Sequence, residues 1–331
     1  MNILFCSVGR RCELLKDFRK TLGDKVRIVV TDNSPYAPAL AFSDVSYKVP
    51  LITDENYIPM ILDICKKEKI NAITTLIDPE ISILADHRAE FEALGVEVLA
   101  PYKETADLCF DKYEMFKYLS KKGVRTVKTY GNFEDFDKDY KEGKISLPVF
   151  VKPRTGSGSV GARKVESYEL LKEVMERSPE LIIQELMTGK DMDADLYVDT
   201  ISGEVIAIFS KKKISTTIGG ANKTISFKDE KLFEFVEEAM KVFKFNGPLD
   251  MDLFFQNGEY YLSEINPRFG GAYLHAYGAG VDFPSFIYKN VMEKEANKQQ
   301  IGQYDENVVM MMYDSVVIDT LDNLQERMKE V

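Results

Sequence analysis

The first hundred residues alternate short apolar runs with segments whose apolar residues recur every three or four positions. The apolar runs, typical of buried strands, are NILFCSV (2–8), VRIVVTD (26–32), INAITTLI (70–77) and VEVLA (96–100). Helical spacing predicts helices over CELLKDFRKTL (12–22), NYIPMILDICKKEK (56–69) and ISILADHRAEFEALG (81–95). Strands that alternate with helices indicate a parallel sheet, so we expect an α/β domain over residues 1–105.

The pattern changes after residue 105, where strand-like segments dominate. These are LPVFVKP (147–153), ARKVES (162–167), LIIQEL (181–186), DADLYVD (193–199) and EVIAIFSKKK (204–213). Helices are predicted at SYELLKEVMER (167–177) and EKLFEFVEEAMKVF (230–243), and a last strand at NVVMMMYDSV (307–316), followed by a short helix. This order indicates an α+β region over residues 106–331. A length of 331 residues agrees with two domains or three.

Composition narrows the class of protein. Hydrophobic residues make up 45% and charged residues 29%, and the formal net charge is −11, so bulk attraction to nucleic acid or an anionic membrane is not expected. No apolar run approaches the roughly 18–20 residues that span a bilayer, and MNILFCSVGRR is unlike a secretory signal. The four cysteines form no C-x-x-C pair. We therefore expect a cytoplasmic protein with reduced thiols and no zinc site.

A glycine-rich loop follows the strand that contains Lys152. In VFVKPRTGSGSVGARKV (149–165), the small residues are Gly156, Ser157, Gly158, Ser159 and Gly161. Such a loop turns several backbone N–H groups toward one point and can cradle a phosphate, which Lys152 would also reach. It is not a Walker A loop, because no Gly-Lys-Ser/Thr closes it. The alternative is a mobile turn between two strands.

A second candidate site lies where the strand at 181–186 ends in Gln184 and Glu185. A carboxylate at this point can accept from an adenine amino group, and the backbone of Leu186 and Met187 can meet the ring edge. Asp191 follows within reach of ribose hydroxyls. The alternative is a strand that leaves the sheet through a polar turn.

A third candidate lies in GPLDMDLFFQNGEYYLSEINPR (247–268), where Asn257-Gly258 predicts a hairpin. Glu264 and Asn266 share one face of their strand, and Asp252 lies on the preceding strand. These hard oxygen ligands suit Mg²⁺. A strict two-residue turn would place Asp252 opposite Ser263. The metal site therefore requires a three-residue loop or a bulge in the hairpin.

Together and in this order, the three motifs resemble those of the ATP-grasp superfamily of ligases, including stand-alone carboxylate–amine ligases and one unit of the carbamoyl phosphate synthetase large subunit. The resemblance covers essentially the whole chain. It implies a Rossmann-like pre-ATP-grasp domain and an ATP-grasp domain with lobes at 106–185 and 186–331 that enclose the nucleotide. It also implies ATP, two Mg²⁺ ions (or Mn²⁺ in their place), small carboxylate and amine substrates, and pairing into a homodimer.

The resemblance also implies roles for individual residues. Lys112 and Lys152 correspond to the family lysines at the nucleotide phosphates, and Gly156 to Gly161 to the flap over them. Gln184, Glu185, Leu186 and Met187 correspond to the adenine hinge, and Asp191 to the ribose acid. Asp252, Glu264 and Asn266 correspond to the metal ligands. Arg268 corresponds to the arginine at the acyl phosphate or substrate carboxylate.

The implied activity is activation of a carboxylate as an acyl phosphate that an amine attacks, with release of ADP. Alternatives are a carbamoyl-phosphate-type or kinase-like phosphotransfer unit, and a non-catalytic ATP-binding module. Neither the substrates nor any need for a partner subunit can be inferred from the sequence.

Several residues remain open to two interpretations. Lys211 and Lys213 either bind phosphate or an acidic substrate, or lie on a solvated strand end. His275 either lines the substrate pocket or is structural. The polar residues after the first-domain strands, which are Gly9, Arg10, Asp32, Asp78 and Glu80, either contact substrate or serve in caps and turns.

Overall fold

The computed structural model describes residues 1–156, 161–217 and 220–329. The strands are β1 Asn2–Cys6, β2 Arg27–Asp32, β3 Val45–Lys48, β4 Ala72–Thr75, β5 Glu97–Val98, β6 Thr129–Tyr130, β7 Val149–Pro153, β8 Arg163–Val165, β9 Leu181–Glu185, β10 Lys190–Val198, β11 Val205–Thr217, β12 Gly220–Phe227, β13 Gly247–Gln256, β14 Glu259–Asn266, β15 Val309–Met311 and β16 Met328–Lys329. 

The α-helices are α1 Cys12–Leu22, α2 Tyr57–Glu68, α3 Asp78–Asp86, α4 Arg88–Ala93, α5 Lys103–Phe110, α6 Lys112–Lys121, α7 Phe133–Lys141, α8 Tyr168–Arg177, α9 Glu230–Met240, α10 Tyr273–Gly278, α11 Phe283–Tyr288 and α12 Leu321–Arg327. Short 3₁₀ turns lie at Gly23–Lys25 and Pro38–Phe42, and a π-turn lies at Lys289–Glu293.

The first sheet has the order β16-β3-β2-β1-β4-β5, and all its strands run parallel. The predicted parallel α/β sheet is confirmed. Two of its strands were not predicted. β3 has only four residues, two of them polar, and β16 has two, so neither carries an apolar run. Because β16 pairs with β3, the described end of the chain returns to the first sheet.

The rest of the chain forms two further sheets. One, with the order β14-β13-β10-β11-β12-β15, is antiparallel, and so is the smaller β6-β9-β7-β8 sheet. Residues 186–189 connect β9 of the small sheet to β10 of the large one. The predicted α+β class is confirmed. The strand predicted at 307–316 is too long, because only Val309–Met311 pairs with β12.

The β13–β14 hairpin combines a two-residue turn with a bulge. Asn257 and Gly258 have φ of 54° and 82°, the left-handed values that the tightest hairpin turns require. Leu253 pairs with Leu262, but Asp252 pairs with Glu264, so Ser263 is an extra residue on β14. The predicted bulge is confirmed.

Within the part of the chain that the structure describes, no helix is both long enough and apolar enough to cross a membrane.

Candidate active site

The large sheet carries a row of charged side chains on one face. Along β10, Met192, Ala194 and Leu196 are buried in the apolar core, so the alternate positions Asp193 and Asp195 point to the other face. Asp193 lies opposite both Lys211 of β11 and Asp252 of β13, and Asp195 lies opposite Asp250. Directly opposed residues share a face, so the acids of β10 face the acids of β13, and Lys211 of β11 lies beside them.

The three predicted metal-binding residues lie together on this face. Asp252 is opposite Glu264, and Asn266 is opposite Asp250. The Asn266 amide Nδ2 donates a hydrogen bond of 3.2 Å to Asp252 Oδ2, which turns the amide oxygen away from that bond. Two carboxylates and an amide oxygen form a hard donor set that fits Mg²⁺, which also keeps water and phosphate ligands.

Asp252, Glu264 and Asn266 do not form a complete metal site by themselves. Across residues 1–156, 161–217 and 220–329, no three His, Cys, Asp or Glu side chains are grouped so as to hold a metal ion. Asp252, Glu264 and Asn266 would therefore need oxygens from a bound phosphate or water to complete a coordination shell.

Two lysines from other elements converge on Glu264. Lys112 begins α6, and its Nζ lies 3.6 Å from Glu264 Oε1. Lys152 lies on β7, and its Nζ is 3.5 Å from Glu264 Oε2. Both lysines are largely buried. Burial, opposed by the attraction of Glu264, lowers the pKa of Lys152. Two ammonium groups therefore lie beside the predicted metal ligands.

Lys213 contacts the acids from the opposite side. Its Nζ lies 2.5 Å from Asp252, 2.7 Å from Asp193 and 2.9 Å from Asp191, and its side chain is 11% exposed. Burial favours protonation of Asp252, but Lys213 outweighs it and holds the pKa of this carboxyl below its ordinary value. Asp252 is thus kept as a carboxylate.

Lys211 lies on β11 two positions before Lys213, and its side chain is fully buried. Its ammonium contacts Asp195 and lies 3.8 Å from Asp250 and 4.0 Å from Asp193. Burial raises the pKa of Asp250 to about 6 against the opposing charge of Lys211. Neither Lys211 nor Lys213 is solvated, so the interpretation of this strand end as a solvated one is wrong.

Arg268 connects the two domains. Its Nε and Nη2 lie 3.0 and 3.1 Å from the two carboxylate oxygens of Asp78, and its Nη1 donates to Phe269 O at 3.1 Å. Asp78 is the first residue of α3 in the first domain. One edge of the guanidinium therefore faces a first-domain carboxylate, with a hydrogen bond from Nη2 and a close ionic contact at Nε.

A second arginine fastens the same loop to the first domain. Arg11, just before α1, donates from Nη1 to Gly270 O at 2.9 Å. Gly270 has no space for a side chain, because a Cβ would lie 2.6 Å from Asp195 Oδ1 and 2.9 Å from Asp250 Oδ1. The loop after Arg268 is thus pressed against the charged face.

The predicted adenine hinge borders a cavity of about 310 Å³. Glu185, Leu186 and Thr188 line it on one side, and residues 143–146 and Pro148 line it on the other. Gln184 is buried, and its Nε2 donates to Thr129 Oγ1 at 3.0 Å. Asp191 opens onto the charged face beside Lys213, and its side chain is 41% exposed. Met187 does not line this cavity, but its sulfur accepts a weak hydrogen bond of 3.9 Å from Gln256 Nε2.

The two ends of the glycine-rich loop lie between β7 and β8. Gly156 and Gly161 have φ of 101° and 77°, which only glycine adopts without strain. Lys112 Nζ donates to Gly156 O at 2.6 Å and fixes the start of the loop near Glu264. The predicted phosphate contacts Ser157, Gly158 and Ser159 lie outside the described residues.

Several open residues prove to serve the fold. Asp32 accepts from the backbone N–H groups of Gly9 and Ser34 at 2.8 and 2.9 Å, which is a turn role. Glu80 is buried and accepts from Thr75 Oγ1 at 2.6 Å and from Tyr57. Arg10 is exposed.

His275 is buried, with Nδ1 2.7 Å from Thr224 Oγ1 and Nε2 3.0 Å from Val308 O. Both ring nitrogens are thus bonded within the protein, and the structural interpretation holds for His275.

The sequence interpretation missed Asp193, Asp195 and Asp250. Their signal is the spacing of two in DMDAD and DMD, which places every aspartate of a strand on the same face. The contact between Asp78 and Arg268 had no such signal, because the two residues lie 190 positions apart.

Two family models match the chain. The model described as PylC-like, N-terminal domain, matches residues 3–99, and the ATP-grasp domain model matches residues 109–272.

Curated relatives match parts of the chain. The phosphoribosylamine–glycine ligase of Fusobacterium nucleatum is 28% identical over 63% of this chain and 55% of its own length. The D-alanine–D-alanine ligase of Bacillus anthracis is 26% identical over 41% and 50%. The carbamoyl phosphate synthase large chain of Sulfurisphaera tokodaii is 22% identical over 70% and 23%. The matched region therefore spans about half or less of these relatives.

Solved structures share the fold. The biotin carboxylase domain of Hydrogenobacter thermophilus 2-oxoglutarate carboxylase, in complex with MgADP, gives a TM-score of 0.74 at 17% identity, over 93% of this chain and 73% of that one. The Staphylococcus aureus N5-carboxyaminoimidazole synthetase complexed with ADP gives 0.71 at 16%, over 90% and 79%. The Bacillus licheniformis L-amino acid ligase gives 0.68 at 18%, over 90% and 75%.

Proposed function

This chain belongs to the ATP-grasp family, and we propose that it is an ADP-forming ligase that joins a small carboxylate to an amine. The observation that carries the proposal is the convergence on Glu264. Lys112 and Lys152 reach this acid from α6 and β7, while Asp252 and Asn266 lie beside it on the large sheet. Ammonium groups next to hard oxygen ligands are what nucleotide phosphates and Mg²⁺ need.

The site residues take the following roles in this proposal. The hinge at Gln184, Glu185, Leu186 and Met187 holds adenine, and Asp191 holds the ribose. Lys112, Lys152 and the loop from Gly156 to Gly161, including Ser157, Gly158 and Ser159, bind the phosphates. Asp252, Glu264 and Asn266 hold Mg²⁺, two ions in the family pattern. A metal ion held by these residues would neutralise phosphate charge during transfer.

The proposed reaction has two steps. A carboxylate oxygen attacks the γ-phosphorus of ATP, the bond to the β-phosphate oxygen breaks, and ADP leaves. The amine nitrogen then attacks the carbonyl carbon of the acyl phosphate, phosphate leaves with its electron pair, and the nitrogen loses a proton. Phosphoryl transfer depends mainly on positioning and charge stabilisation, so no side-chain nucleophile is required.

Arg268 has a position suited to the substrate in this scheme. Asp78 occupies its Nε edge, so the remaining N–H bonds of Nη1 and Nη2 are those that would contact a carboxylate or an acyl phosphate. Lys152, nearer the metal ligands, would stabilise charge on the transferred group. These are the two residues that we assign to catalysis.

The domain boundaries form part of the same proposal. Residues 1–105 would be the pre-ATP-grasp domain, 106–185 the first ATP-grasp lobe and 186–331 the second, with the nucleotide between the lobes. We further propose that the protein is cytoplasmic, because its substrates would be small soluble molecules. We also propose that it forms a homodimer, because ATP-grasp proteins commonly pair.

A direct assay tests the ligase function. The protein is incubated with ATP, Mg²⁺ and pairs drawn from amino acids and other carboxylic acids, and ADP, AMP and amide products are measured. ADP and an amide that form only when both substrates are present would support the proposal. AMP and pyrophosphate as products would refute it.

A second candidate is a phosphotransfer unit of the carbamoyl phosphate type, favoured by the match over 70% of this chain to such a large chain. In that case bicarbonate or a single acceptor would suffice for ADP release, and no amide would appear in the mass spectrum. Failure to bind ATP at all in calorimetry with Mg²⁺ would instead indicate a non-catalytic module.

A further inference from the structure

The ammonium group of Lys213 is surrounded by carboxylates that belong to the proposed metal site or lie next to it. Asp252, Asp193 and Asp191 lie at 2.5, 2.7 and 2.9 Å from Nζ, and the contact with Asp252 Oδ1 is a hydrogen bond. Asp252 is also a proposed metal ligand. Its Oδ1 faces Lys213 and its Oδ2 accepts from Asn266, so both oxygens are already engaged.

This arrangement resolves an electrostatic conflict within the sheet. Asp193 and Asp252 stand directly opposite each other on neighbouring strands, and Asp193 is buried while Asp252 is partly covered by protein. Two such carboxylates repel each other strongly unless a cation lies between them. Lys213 supplies that cation from β11, so the sheet can hold these opposed acids with no metal bound.

A divalent ion and the Lys213 ammonium need the same oxygen lone pairs of Asp252. An ammonium on a flexible four-carbon stem can be displaced, and it then carries its charge toward nearby anions. We propose that Lys213 is a built-in cation that competes with Mg²⁺ for Asp252, so that the ion enters fully only when nucleotide phosphates are present. The inference rests on the metal role of Asp252 in the proposed function.

The competition predicts a specific effect of removing the ammonium. Lys213→Met shortens the side chain by one atom and removes its charge, so Asp252 becomes available to a metal ion in the protein without nucleotide. Mn²⁺ serves as the probe, and its binding is measured by electron paramagnetic resonance. We expect Lys213→Met to bind Mn²⁺ at least tenfold more tightly than the unchanged protein, and Lys213→Arg to bind it as weakly as the unchanged protein does.

Lys212→Met is the matched control. Lys212 is the adjacent residue on the opposite face of β11, and its Nζ lies 4.7 Å from the centre of the Phe227 ring. It loses the same charge from the same strand without touching the acids around Lys213. Equal Mn²⁺ affinities for Lys213→Met and Lys212→Met would overturn the proposal.

Thermal unfolding provides a second readout. In EDTA, Lys213→Met should melt several degrees below Lys212→Met, and millimolar Mg²⁺ should close that gap while KCl at equal ionic strength should not. A gap that Mg²⁺ leaves unchanged would contradict the proposal. If Lys213→Met does not fold in EDTA, Lys213→Met/Asp193→Asn removes one carboxylate together with the ammonium. This double variant must still bind Mn²⁺ more tightly than the unchanged protein.

The ligase assay separates this inference from the proposed function. Tighter Mn²⁺ binding by Lys213→Met, without ADP release from any substrate pair, would remove the ligase function and leave the competition intact. ADP release by the unchanged protein, together with an unchanged Mn²⁺ affinity in Lys213→Met, would support the ligase function and refute the competition.

Discussion

Asp252 and Glu264 stand opposite each other across β13 and β14 because Ser263 is an extra residue between Leu262 and Glu264. Without the bulge, the two-residue turn at Asn257-Gly258 would place Asp252 opposite Ser263 and direct Glu264 to the other face. A single bulged residue therefore assembles the two carboxylates that we propose as metal ligands.

The first prediction concerns the charge of Glu264. Glu264→Gln removes the carboxylate that Lys112, Lys152 and the proposed ion share, while nearly keeping its shape. We expect ADP release to fall by about 100-fold or more, the usual effect of losing a group that stabilises phosphoryl transfer. Mg²⁺-dependent nucleotide affinity, measured by calorimetry, should fall with it.

Glu259→Gln is the control for that experiment. Glu259 begins the same strand but pairs with Lys231 and Arg125 at the surface. It should keep ADP release within about twofold, since surface ion pairs contribute little. If Glu264→Gln kept the nucleotide affinity of the unchanged protein, the metal assignment would be wrong.

The second prediction concerns the ion pair between Arg268 and Asp78. Lysine lacks the planar set of N–H donors that lets a guanidinium contact Asp78 and a substrate carboxylate at once, so Arg268→Lys should reduce kcat/KM for the carboxylate substrate by at least tenfold. Because adenine is proposed to bind at the hinge and not at Arg268, the Kd for ATP should change less than about twofold. Steady-state kinetics and calorimetry measure the two quantities.

Arg19→Lys provides the comparison for Arg268→Lys, because Arg19 pairs with Asp44 at the surface of α1. Asp78→Asn, which weakens the same ion pair from the first domain, should also lower kcat/KM. An Arg268→Lys enzyme with unchanged carboxylate kinetics would show that Arg268 serves only to join the domains.

The third prediction concerns the pH dependence of stability. Burial, with a smaller effect of Lys211, lowers the pKa of His275 to about 4 from an ordinary value near 6.5. As pH falls from about 6.5 to 4, the imidazole of His275 binds a proton in the unfolded chain but not in the folded protein, so the free energy of unfolding falls. His275→Gln should remove on the order of 1 kcal/mol of the loss between pH 7 and pH 5.

Urea unfolding at the two pH values measures this effect, and His87→Gln, at an exposed site, controls for the loss of a histidine as such. Equal losses in the unchanged protein and in His275→Gln would contradict the burial argument.

The fourth prediction concerns the close approach at Gly270. A methyl group there would meet Asp195 and Asp250 at 2.6 and 2.9 Å, so Gly270→Ala should destabilise the protein by about 1–3 kcal/mol. Gly278, at the end of α10, has open space at the same position. Gly278→Ala should stay within about 0.5 kcal/mol of the unchanged protein in urea unfolding. Equal stability of the two variants would show that the charged face is loosely packed.

Local patterns in the sequence determined the elements and most of the candidate site. Apolar runs and helical spacing predicted the parallel sheet, because burial imposes a period on every strand and helix. Strands too short to show that period, such as Val45–Lys48, were missed. The motif around Glu264 and Asn266 predicted both the candidate metal ligands and the bulge, since alternation along a strand is a local rule.

Contacts between distant segments were decided only by the tertiary structure. Lys213 meets Asp252, and Arg268 meets Asp78, through the pairing of β11, β10 and β13 and the docking of the first domain. The spacing of acids and bases within one strand says which face they share. Which acid meets which base depends on the register of the neighbouring strands, and no single segment carries that information.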